Sequence, residues 1–480
     1  MSADFSRIRF NPLADYCGVE LKQGGVLLDA DFNEWVAVLD RRLRAVASDI
    51  LGRARVSSTT PDAFRVTLAG GQLQLGIGRL YVDGLLAENH GLPAAALAKR
   101  PFDTLMAEQR FADAVPLAQQ PYLPAPPALP TSGKHLVYLD VWQREVTHLE
   151  QPGLVEVAVN VETSSRLQTV WQVRVLADAA GAGASCSTND ADLPGWAAVV
   201  APSIARLSTG TREITGADDP CELPPTGGYR GLENQAYRVE IHDAGTPGGG
   251  AGANATFKWS RDNASVVSRV AAIVSAHELL LPSFGRDDVL RLNDGDWVEI
   301  SDDAREFSQR AGEMRRITVH EGRRTISFTP DLPAEMLPAG GGTLPDSDWP
   351  ARTHLRVKRW DQAHQVLRVH ANGSTSVYHD LDAGAAGVIP VPGPGTTLLL
   401  ERGVTVRFSS ATGVPGGRFR AGDFWVFAAR TADASVEVLT EAAPRGIHHH
   451  FARLAMWDIA SGHLSDCRLH WPPPAGGDQH

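Results

Sequence analysis

The sequence has few cysteines, and none of them has a metal-binding spacing. Its 480 residues contain four cysteines, and no two form a CxxC pair. A zinc finger or zinc ribbon is therefore not expected, because such sites need closely spaced thiolates. Cys186 and Cys221 both lie in polar, turn-rich segments and could form a disulfide, whereas free thiols are the expectation for a reducing cytosol.

Long apolar stretches and clusters of positive charge are also missing. No segment approaches the roughly 18 apolar residues of a membrane-spanning helix, and the stretch MSADFSRIRF lacks the apolar centre of a signal peptide. These features predict a protein that is cytoplasmic at synthesis and not inserted into a membrane, and they leave open its later release from the cell as part of a particle. The formal net charge of -11 argues against a nucleic-acid partner.

The chain has no motif of a common nucleotide-binding or hydrolytic site. A Walker A pattern, a GxSxG elbow and an HExxH helix are all absent from the sequence. The glycine run at residues 248–250 lies between two predicted strands without a following helix, so it does not match a phosphate-binding loop. The sequence therefore predicts a protein that is not an enzyme, with no cofactor and with no catalytic, cofactor-binding or metal-binding residues.

The clearest helical pattern follows the stretch GGVLLDADFNEW at residues 24–35. It runs from Phe32 to about Leu51, and Gly52 is the expected stop. The apolar residues that recur at helical spacing are Trp35, Leu39, Leu43, Val46 and Ile50. This stripe is either a docking surface for a neighbouring protein or the packing face of an intramolecular helix, and the sequence favours neither.

Acidic residues at the start of this helix have the spacing of a calcium loop. Asp29, Asp31 and Asn33 alternate, but the sixth position of such a loop needs Gly and here is Glu34. The preferred interpretation is a short strand at residues 26–28, after which Asp31 caps the helix and Glu34 completes a capping box. The residues expected to pack near this strand are Phe10, Tyr16 and Val19.

Most of the remaining sequence alternates between apolar and polar residues, with turn residues between the alternating segments. This pattern predicts a mainly β, multidomain protein of sandwich or barrel units with an N-terminal strand-helix module. Recurring Trp motifs also indicate two related β units, at residues 255–335 and 352–440. The predicted divisions are residues 1–60 (strand-helix module), 61–134 (small β region ending in a Pro-rich linker at 115–133), 135–254, 255–345 and 346–480 (β domains, the last with a C-terminal tail).

Three consecutive histidines form a candidate metal site. His448 and His450 would face the same side of a strand. On a threefold axis, such pairs from three chains could hold one transition metal through imidazole nitrogens. Packing of the side chains in an ordinary strand is the preferred interpretation.

Acidic doublets and tryptophans could together form a sugar-cleaving site, which needs two carboxyl groups held across the glycosidic bond. The doublets are Asp218-Asp219, Asp287-Asp288 and Asp302-Asp303. Solvated turns are the preferred explanation of these doublets. The tryptophans expected in the core rather than on a sugar platform are Trp142, Trp171, Trp259, Trp297 and Trp425.

Several blocks of the sequence, taken together and in order, carry a family resemblance. They are YCGVELKQGGVLLDADFNEW, YLDVWQREVTHLE, DPCELPPTGGYRGLENQAYRVEIHDAG, ATFKWSRDNASVV, GDFWVFAAR, GIHHHFARLAM and DCRLHWPPP. The chain resembles an uncharacterised bacterial family whose members often sit among genes for contractile injection systems and other phage-tail-like particles. The first block is also similar to N-terminal modules of phage baseplate and tail-fibre proteins.

The resemblance implies an assembly role rather than a reaction. The expected function is a structural component of such a particle, as a baseplate, spike, fibre or adaptor. Its partners would be other proteins of the particle, with a homo-oligomer such as a trimer as one option. The alternative is a tailspike-like module that binds or hydrolyses surface glycans, which would need an acidic groove with exposed aromatic residues.

Overall fold

The computed structural model describes residues 8–91, 105, 114–124, 126–159, 161–177, 183–212, 228–248, 254–337, 342–343, 354–384, 386–414 and 417–473. Within these ranges the strands form seven sheets, and helices are few and mostly short. The prediction of a mainly β, multidomain protein is therefore confirmed.

The elements are numbered along the chain. The helices are α1 (Asp29–Leu51), α2 (Trp196–Val200) and α3 (Asp303–Phe307), with 3-10 turns at Pro12–Ala14, Leu117–Gln119, Pro152–Leu154, Asp190–Asp192, Glu321–Arg323 and Ala334–Met336. The strands are β1 (Ala54–Ser57), β2 (Val66–Ala69), β3 (Gln72–Gly76), β4 (Gly78–Val82), β5 (Leu85–Asn89), β6 (Ala114–Pro116), β7 (Lys134–Val146), β8 (Val155–Glu156), β9 (Val161–Glu162), β10 (Arg166–Leu176), β11 (Ala205–Thr211), β12 (Gln235–Ile241), β13 (Thr256–Ser260), β14 (Val267–Arg269), β15 (Ala272–Ser275), β16 (Glu278–Leu280), β17 (Trp297–Ser301), β18 (Glu313–His320), β19 (Thr325–Phe328), β20 (Gly342–Thr343), β21 (Arg356–Trp360), β22 (Gln365–Val369), β23 (Thr375–Asp380), β24 (Ile389–Pro390), β25 (Thr397–Leu399), β26 (Val404–Ser410), β27 (Phe424–Arg430), β28 (Ser435–Val436), β29 (His450–Asp458), β30 (His463–Asp466) and β31 (His470–Trp471).

The first of three β units, the outer unit, takes its strands from residues 54–176 and 450–471. Its sheets have the strand orders β31-β1-β4-β5, β10-β7-β29-β30 and β2-β3-β6. β7 lies centrally, because it pairs antiparallel with both β10 and β29. Leu139, Trp171 and Leu454 are among the buried residues of the core that these sheets share.

The middle unit takes its strands from residues 205–260 and 365–436. Two five-stranded sheets, β11-β26-β25-β22-β23 and β24-β13-β12-β27-β28, pack against each other as a sandwich. Its core contains Tyr237, Trp259, Phe408 and Trp425. The alternating residues of β12 and β27 supply this core because every second side chain of a strand points to the same face.

The inner unit lies within residues 266–360 and is built on one eight-stranded sheet. The strand order is β14-β21-β17-β18-β19-β16-β15-β20. Apolar side chains from both halves of this sheet, such as Val298, Ile326 and Val357, pack into a third core. The inner unit is inserted in the chain of the middle unit, which is inserted in the chain of the outer unit.

This nesting crosses the boundaries predicted at residues 135–254, 255–345 and 346–480. Strand pairing joins segments distant in sequence, such as β11 with β26 and β12 with β27. The two stretches predicted as related units are also interleaved. Trp259 and Trp425 lie in one sheet of the middle unit, whereas Trp297 and Trp360 pair in the sheet of the inner unit.

Two local predictions are corrected by the packing of the outer unit. The Pro-rich stretch at 115–133 is not a free linker, because the amide of Gln120 donates to the Val173 carbonyl at 2.8 Å and Leu117 is buried. The alternation of Val155, Val157, Val159 and Val161 in the sequence predicts one strand with a buried face, but these residues do not form one. They form the small β8-β9 hairpin, and the Val157 side chain is 91% exposed.

The predicted disulfide has a different partner. Cys186 is bonded to Cys467, with their Cα atoms 5.1 Å apart, and Cys221 lies outside the described residues. The pairing of Cys186 with Cys221 is therefore wrong, and so is the expectation of free thiols at Cys186 and Cys467. Cys17 is free and exposed.

Candidate docking surface

The helix α1 begins earlier than its apolar pattern predicts. Leu28 is the N-cap residue, with extended backbone and no side-chain hydrogen bond, and Asp29 and Asp31 lie in the first turn. Asp31 forms an ion pair with Arg9 rather than capping the helix. Residues 26–28 form no strand. The predicted strand and capping box are therefore wrong, and the two first-turn carboxylates stabilise the helix start through its dipole.

The other residues of the opening module lie mostly at the surface. Tyr16 is 66% exposed, and Phe10, Val19 and Glu34 are partly exposed. The predicted stop is confirmed, because Gly52 adopts φ +73° and donates its N–H to the Ser48 carbonyl at 2.8 Å.

α1 is seated on the turn that joins β4 to β5. A side chain on Gly84 would place its Cβ 2.4 Å from the Arg44 carbonyl oxygen and 2.9 Å from the Ser48 hydroxyl oxygen. The helix backbone therefore lies directly over this turn. His450 at the start of β29 reinforces the seat, with its Nδ1 3.0 Å from Asp83 Oδ2 and its Nε2 3.2 Å from an Arg44 guanidinium nitrogen.

The side of α1 that faces the outer unit carries small apolar residues and polar residues, whereas its large apolar side chains are exposed. Ala30 and Val38 are buried, and Arg44 and Ser48 lie over the turn. The exposed apolar side chains are Phe32 (54%), Trp35 (44%), Val36 (48%), Leu39 (41%), Leu43 (71%), Val46 (56%) and Ile50 (56%). Amphipathic helices of globular proteins normally turn the apolar face inward. Intramolecular packing therefore does not account for this stripe, which we call the α1 stripe.

A cleft of about 540 Å³ runs beside the α1 stripe. Leu43, Val46 and Ile50 line one side of it, and Leu85 and Leu86 of β5 line the other. The segment before the helix adds further apolar surface, because Val26 and Leu27 are 82% and 65% exposed. An exposed apolar surface of this extent is a candidate site of interaction.

The histidine run contacts charged side chains of the outer unit and of α1. Both ring nitrogens of His450 contact Asp83 or Arg44, as described, and His449 Nδ1 lies 2.7 Å from Asp140 Oδ1. Burial, followed by the neighbouring charge of His450, lowers the pKa of His448. In the ranges that the structure describes, no group of three or more His, Cys, Asp or Glu side chains could hold a metal ion.

One acidic doublet is not a solvated turn. Asp302 and Asp303 are 3% and 4% exposed. The Asp302 carboxylate accepts a hydrogen bond from the Arg305 N–H at 2.8 Å and so caps α3, and Asp303 pairs with Arg356 at 3.1 Å. Asp287 does lie in an exposed turn, where its carboxylate accepts two backbone N–H bonds. Asp218-Asp219 lies outside the described residues.

The tryptophans are in the core as predicted. Trp142, Trp171, Trp259, Trp297 and Trp425 are between 1% and 4% exposed. None of these five rings offers a face on which a sugar could stack, so they give no support to the glycan-binding alternative.

A buried charge cluster lies where the middle unit meets the inner unit. Lys258 of β13 is 1% exposed, and its Nζ lies 2.7 Å from Glu299 Oε1 of β17 and 3.3 Å from Glu240 Oε1 of β12. The ammonium also lies 4.6 Å from the centre of the Trp360 ring. Sequence analysis missed this cluster, since the alternation along β12 resembles that of a strand with one solvated face.

The charges of this cluster neutralise one another. Burial acts to raise the pKa of Glu240, but Arg238 and Lys258 outweigh it and lower that pKa to about 2. Burial likewise opposes ionisation of Glu299, whose pKa Lys258 and His242 hold below its usual range. Both carboxylates are therefore ionised at neutral pH and bind Lys258 across the junction of the two units.

A second buried cluster joins the outer unit to the inner unit. Arg144 of β7 donates to Glu306 of α3 at 3.0 Å, and Arg356 of β21 also contacts Glu306. Burial acts to raise the pKa of Glu306, but Arg356 and Arg144 lower it to about 2. The two clusters therefore connect the inner unit to the middle unit and to the outer unit by ionic contacts. The exposed apolar surface of α1 remains the candidate site for binding other molecules.

His242 is expected to make the stability of the junction depend on pH. Burial, followed by the Lys258 charge, lowers the pKa of His242 from 6.5 to about 4. As the pH falls, His242 is therefore protonated near pH 6.5 in the unfolded chain but only near pH 4 in the folded protein. The free energy of unfolding should therefore decrease by up to about 3 kcal/mol as the pH is lowered from about 6.5 to about 4.

The variant His242→Gln should flatten that pH dependence. Urea unfolding at pH 7 and pH 5 would measure it, with the exposed His463→Gln as the matched control that keeps the wild-type slope. An unchanged slope in His242→Gln would contradict the assignment.

The fold and the surface define a mainly β protein of three nested units that presents an outward-facing amphipathic helix. The chain belongs to a protein family described as a family of unknown function, DUF6519, whose profile matches residues 1–194 and 196–473. Searches among curated proteins and among solved structures found no match. In the described part of the chain, no helix combines the length and the apolar character needed to cross a membrane.

Proposed function

We propose that the protein is a structural component of a contractile injection system or similar phage-tail-like particle, and that it docks through the α1 stripe. The observation that supports this proposal is that α1 packs only small apolar and polar residues on its own β unit and leaves seven large apolar side chains exposed. A neighbouring surface that covers these side chains would stabilise the helix further.

The energy available from covering the stripe is large. Full burial of one such side chain contributes roughly 1.5–3 kcal/mol. Seven partly exposed side chains together therefore offer several kcal/mol, which can offset the estimated cost of about 4–15 kcal/mol for lost translational and rotational freedom. Assembly at a high local concentration in a particle lowers that cost further.

Two further observations support the proposal that the protein belongs to such a particle. The block that resembles baseplate and tail-fibre modules, GGVLLDADFNEW, is the segment that leads into the α1 stripe. The Cys186–Cys467 disulfide suits oxidising surroundings, such as those met by a particle outside the cell, better than a reducing cytosol.

Removal of the docking module should abolish incorporation into particles. We expect deletion of residues 1–52, and the milder double variant Leu39→Glu/Leu43→Glu, to leave purified particles without the protein. Leu232→Glu is the matched control, because Leu232 is 97% exposed and lies just before β12 of the middle unit, whereas α1 is seated on the outer unit. Immunoblots of purified particles give the readout, and the melting temperature of each variant shows that it folds. Normal incorporation of the double variant would contradict the proposal, as would absence of the wild-type protein from purified particles or its release from them on contraction.

A further inference from the structure

The exposed apolar side chains of α1 have the spacing of a coiled-coil seam. Their intervals alternate between four and three residues, at Phe32, Val36, Leu39, Leu43, Val46 and Ile50. In heptad terms Val36, Leu43 and Ile50 occupy a positions, and Phe32, Leu39 and Val46 occupy d positions. A 3.5-residue repeat matches the surface of another helix with the same repeat, because the side chains of each helix insert between those of the other.

The charges along α1 indicate which helix and in which direction. The first turns carry Asp29 and Glu34, and the turns around the middle of the helix carry the exposed Arg41 and Arg42. Asp31 pairs with Arg9, Arg44 contacts Asp40 and His450 of the same chain, and Asp49 lies near the far end of the helix. Two parallel copies would place acids beside acids and bases beside bases. Two antiparallel copies place the acidic turns of each beside the basic turns of the other, which is favourable.

We infer that the α1 stripe pairs with the α1 stripe of a second copy of this chain, as an antiparallel coiled coil about a twofold axis that passes between Val36 and Leu39. This inference rests on the proposed function and names the neighbour that covers the docking surface. Phe32 lies opposite Leu43 of the second copy, and Val36 lies opposite its Leu39. The interface is isologous, since both copies contribute the same surface.

The same register accounts for the cleft beside the stripe. Counting along the paired helices, residues 26–28 of the second copy fall beside the end of α1 where Val46 and Ile50 line the cleft. This segment carries the exposed Val26 and Leu27. The apolar segment before each helix therefore covers the cleft of the other copy.

The oligomeric state of the full chain tests the pairing. Sedimentation equilibrium should show a dimer for the wild type and for Leu232→Glu, and a monomer for Leu39→Glu/Leu43→Glu. A wild-type monomer, or a trimer, would overturn the inference. If the wild-type protein is a monomer but still enters particles, only the pairing is overturned and the proposed function stands. If it is a dimer but is absent from particles, only the proposed function is overturned.

The direction of the helices is tested by charge reversal. Arg41→Glu/Arg42→Glu should weaken the dimer by about tenfold or more. Adding Asp29→Arg/Glu34→Arg to the same chain should restore the dimer, because the reversed, basic start of each helix then lies beside the reversed, acidic middle of the other. If the combined variant has the wild-type melting temperature but does not regain the wild-type dimer affinity, the antiparallel arrangement is overturned.

Cross-linking tests the register. In a Cys17→Ser background, chains with Phe32→Cys mixed with chains with Leu43→Cys should form mixed disulfides. Chains with Ile50→Cys alone should not cross-link, because the two copies of that position lie about 37 Å apart along antiparallel helices. Efficient cross-linking of Ile50→Cys would indicate parallel helices and overturn the inference.

Discussion

Replacing Lys258 with Met should lower the free energy of unfolding by about 3–5 kcal/mol, because it leaves two buried carboxylates without their shared counter-charge. Glu240 and Glu299 are 8% and 7% exposed, so water cannot take the place of the ammonium group. Their pKa values should rise, and the junction between the middle and inner units should loosen first.

Urea unfolding at pH 7 measures this effect, and Arg65→Met is the matched control. Arg65 pairs with Asp62 at 3.2 Å, but both side chains are about half exposed, so its loss should cost under about 1 kcal/mol. The double variant Lys258→Met/Glu299→Gln should be more stable than Lys258→Met, because it no longer buries the Glu299 carboxylate without the Lys258 ammonium. Equal stability of Lys258→Met and the wild type would show that the cluster does not hold the units together.

Loss of the disulfide should have an effect of similar size in the outer unit. Cys186 and Cys467 are 281 residues apart, and constraining so long a loop in the unfolded chain contributes up to about 5 kcal/mol. The bond also holds the segment around α2 against the end of the chain, where Arg453 contacts Asp190. Cys467→Ser should therefore unfold the outer unit at lower temperature.

Thermal unfolding with and without reductant measures this contribution. The wild type should lose stability on reduction, and Cys467→Ser should match the reduced wild type. Cys17→Ser should behave as the wild type, since Cys17 is free and exposed. A reduced protein as stable as the oxidised one would contradict the expected contribution.

The features predictable from sequence are those fixed by neighbouring residues. The turn at Asp83-Gly84 joins β4 to β5 with two residues, and both have positive φ, as an Asp-Gly turn requires. Gly52 ends α1 for a similarly local reason. The alternation in β7, β10, β13 and β27 is likewise enough to place their tryptophans in a core.

The features that sequence reasoning missed depend on distant segments. Nothing near Cys186 identifies Cys467 as its partner, and nothing in β12 shows that the inner unit covers its charged face. The start of α1 was misplaced because Asp31 bonds to Arg9, outside the helix, instead of capping it. The direction in which the α1 stripe faces is set by the seat on Gly84, which the helical pattern itself cannot specify.

The nesting of the three units has a consequence for how the chain folds as it leaves the ribosome. The inner unit is the first whose strands are all present, then the middle unit, and the outer unit is last. His449 and Asp140 touch but are 309 residues apart, a distance that takes roughly 15–60 s to translate at about 5–20 residues per second. During that interval β7 has one unpaired edge, because its partner β29 has not yet been made, and an unpaired strand edge is a template for pairing with other chains.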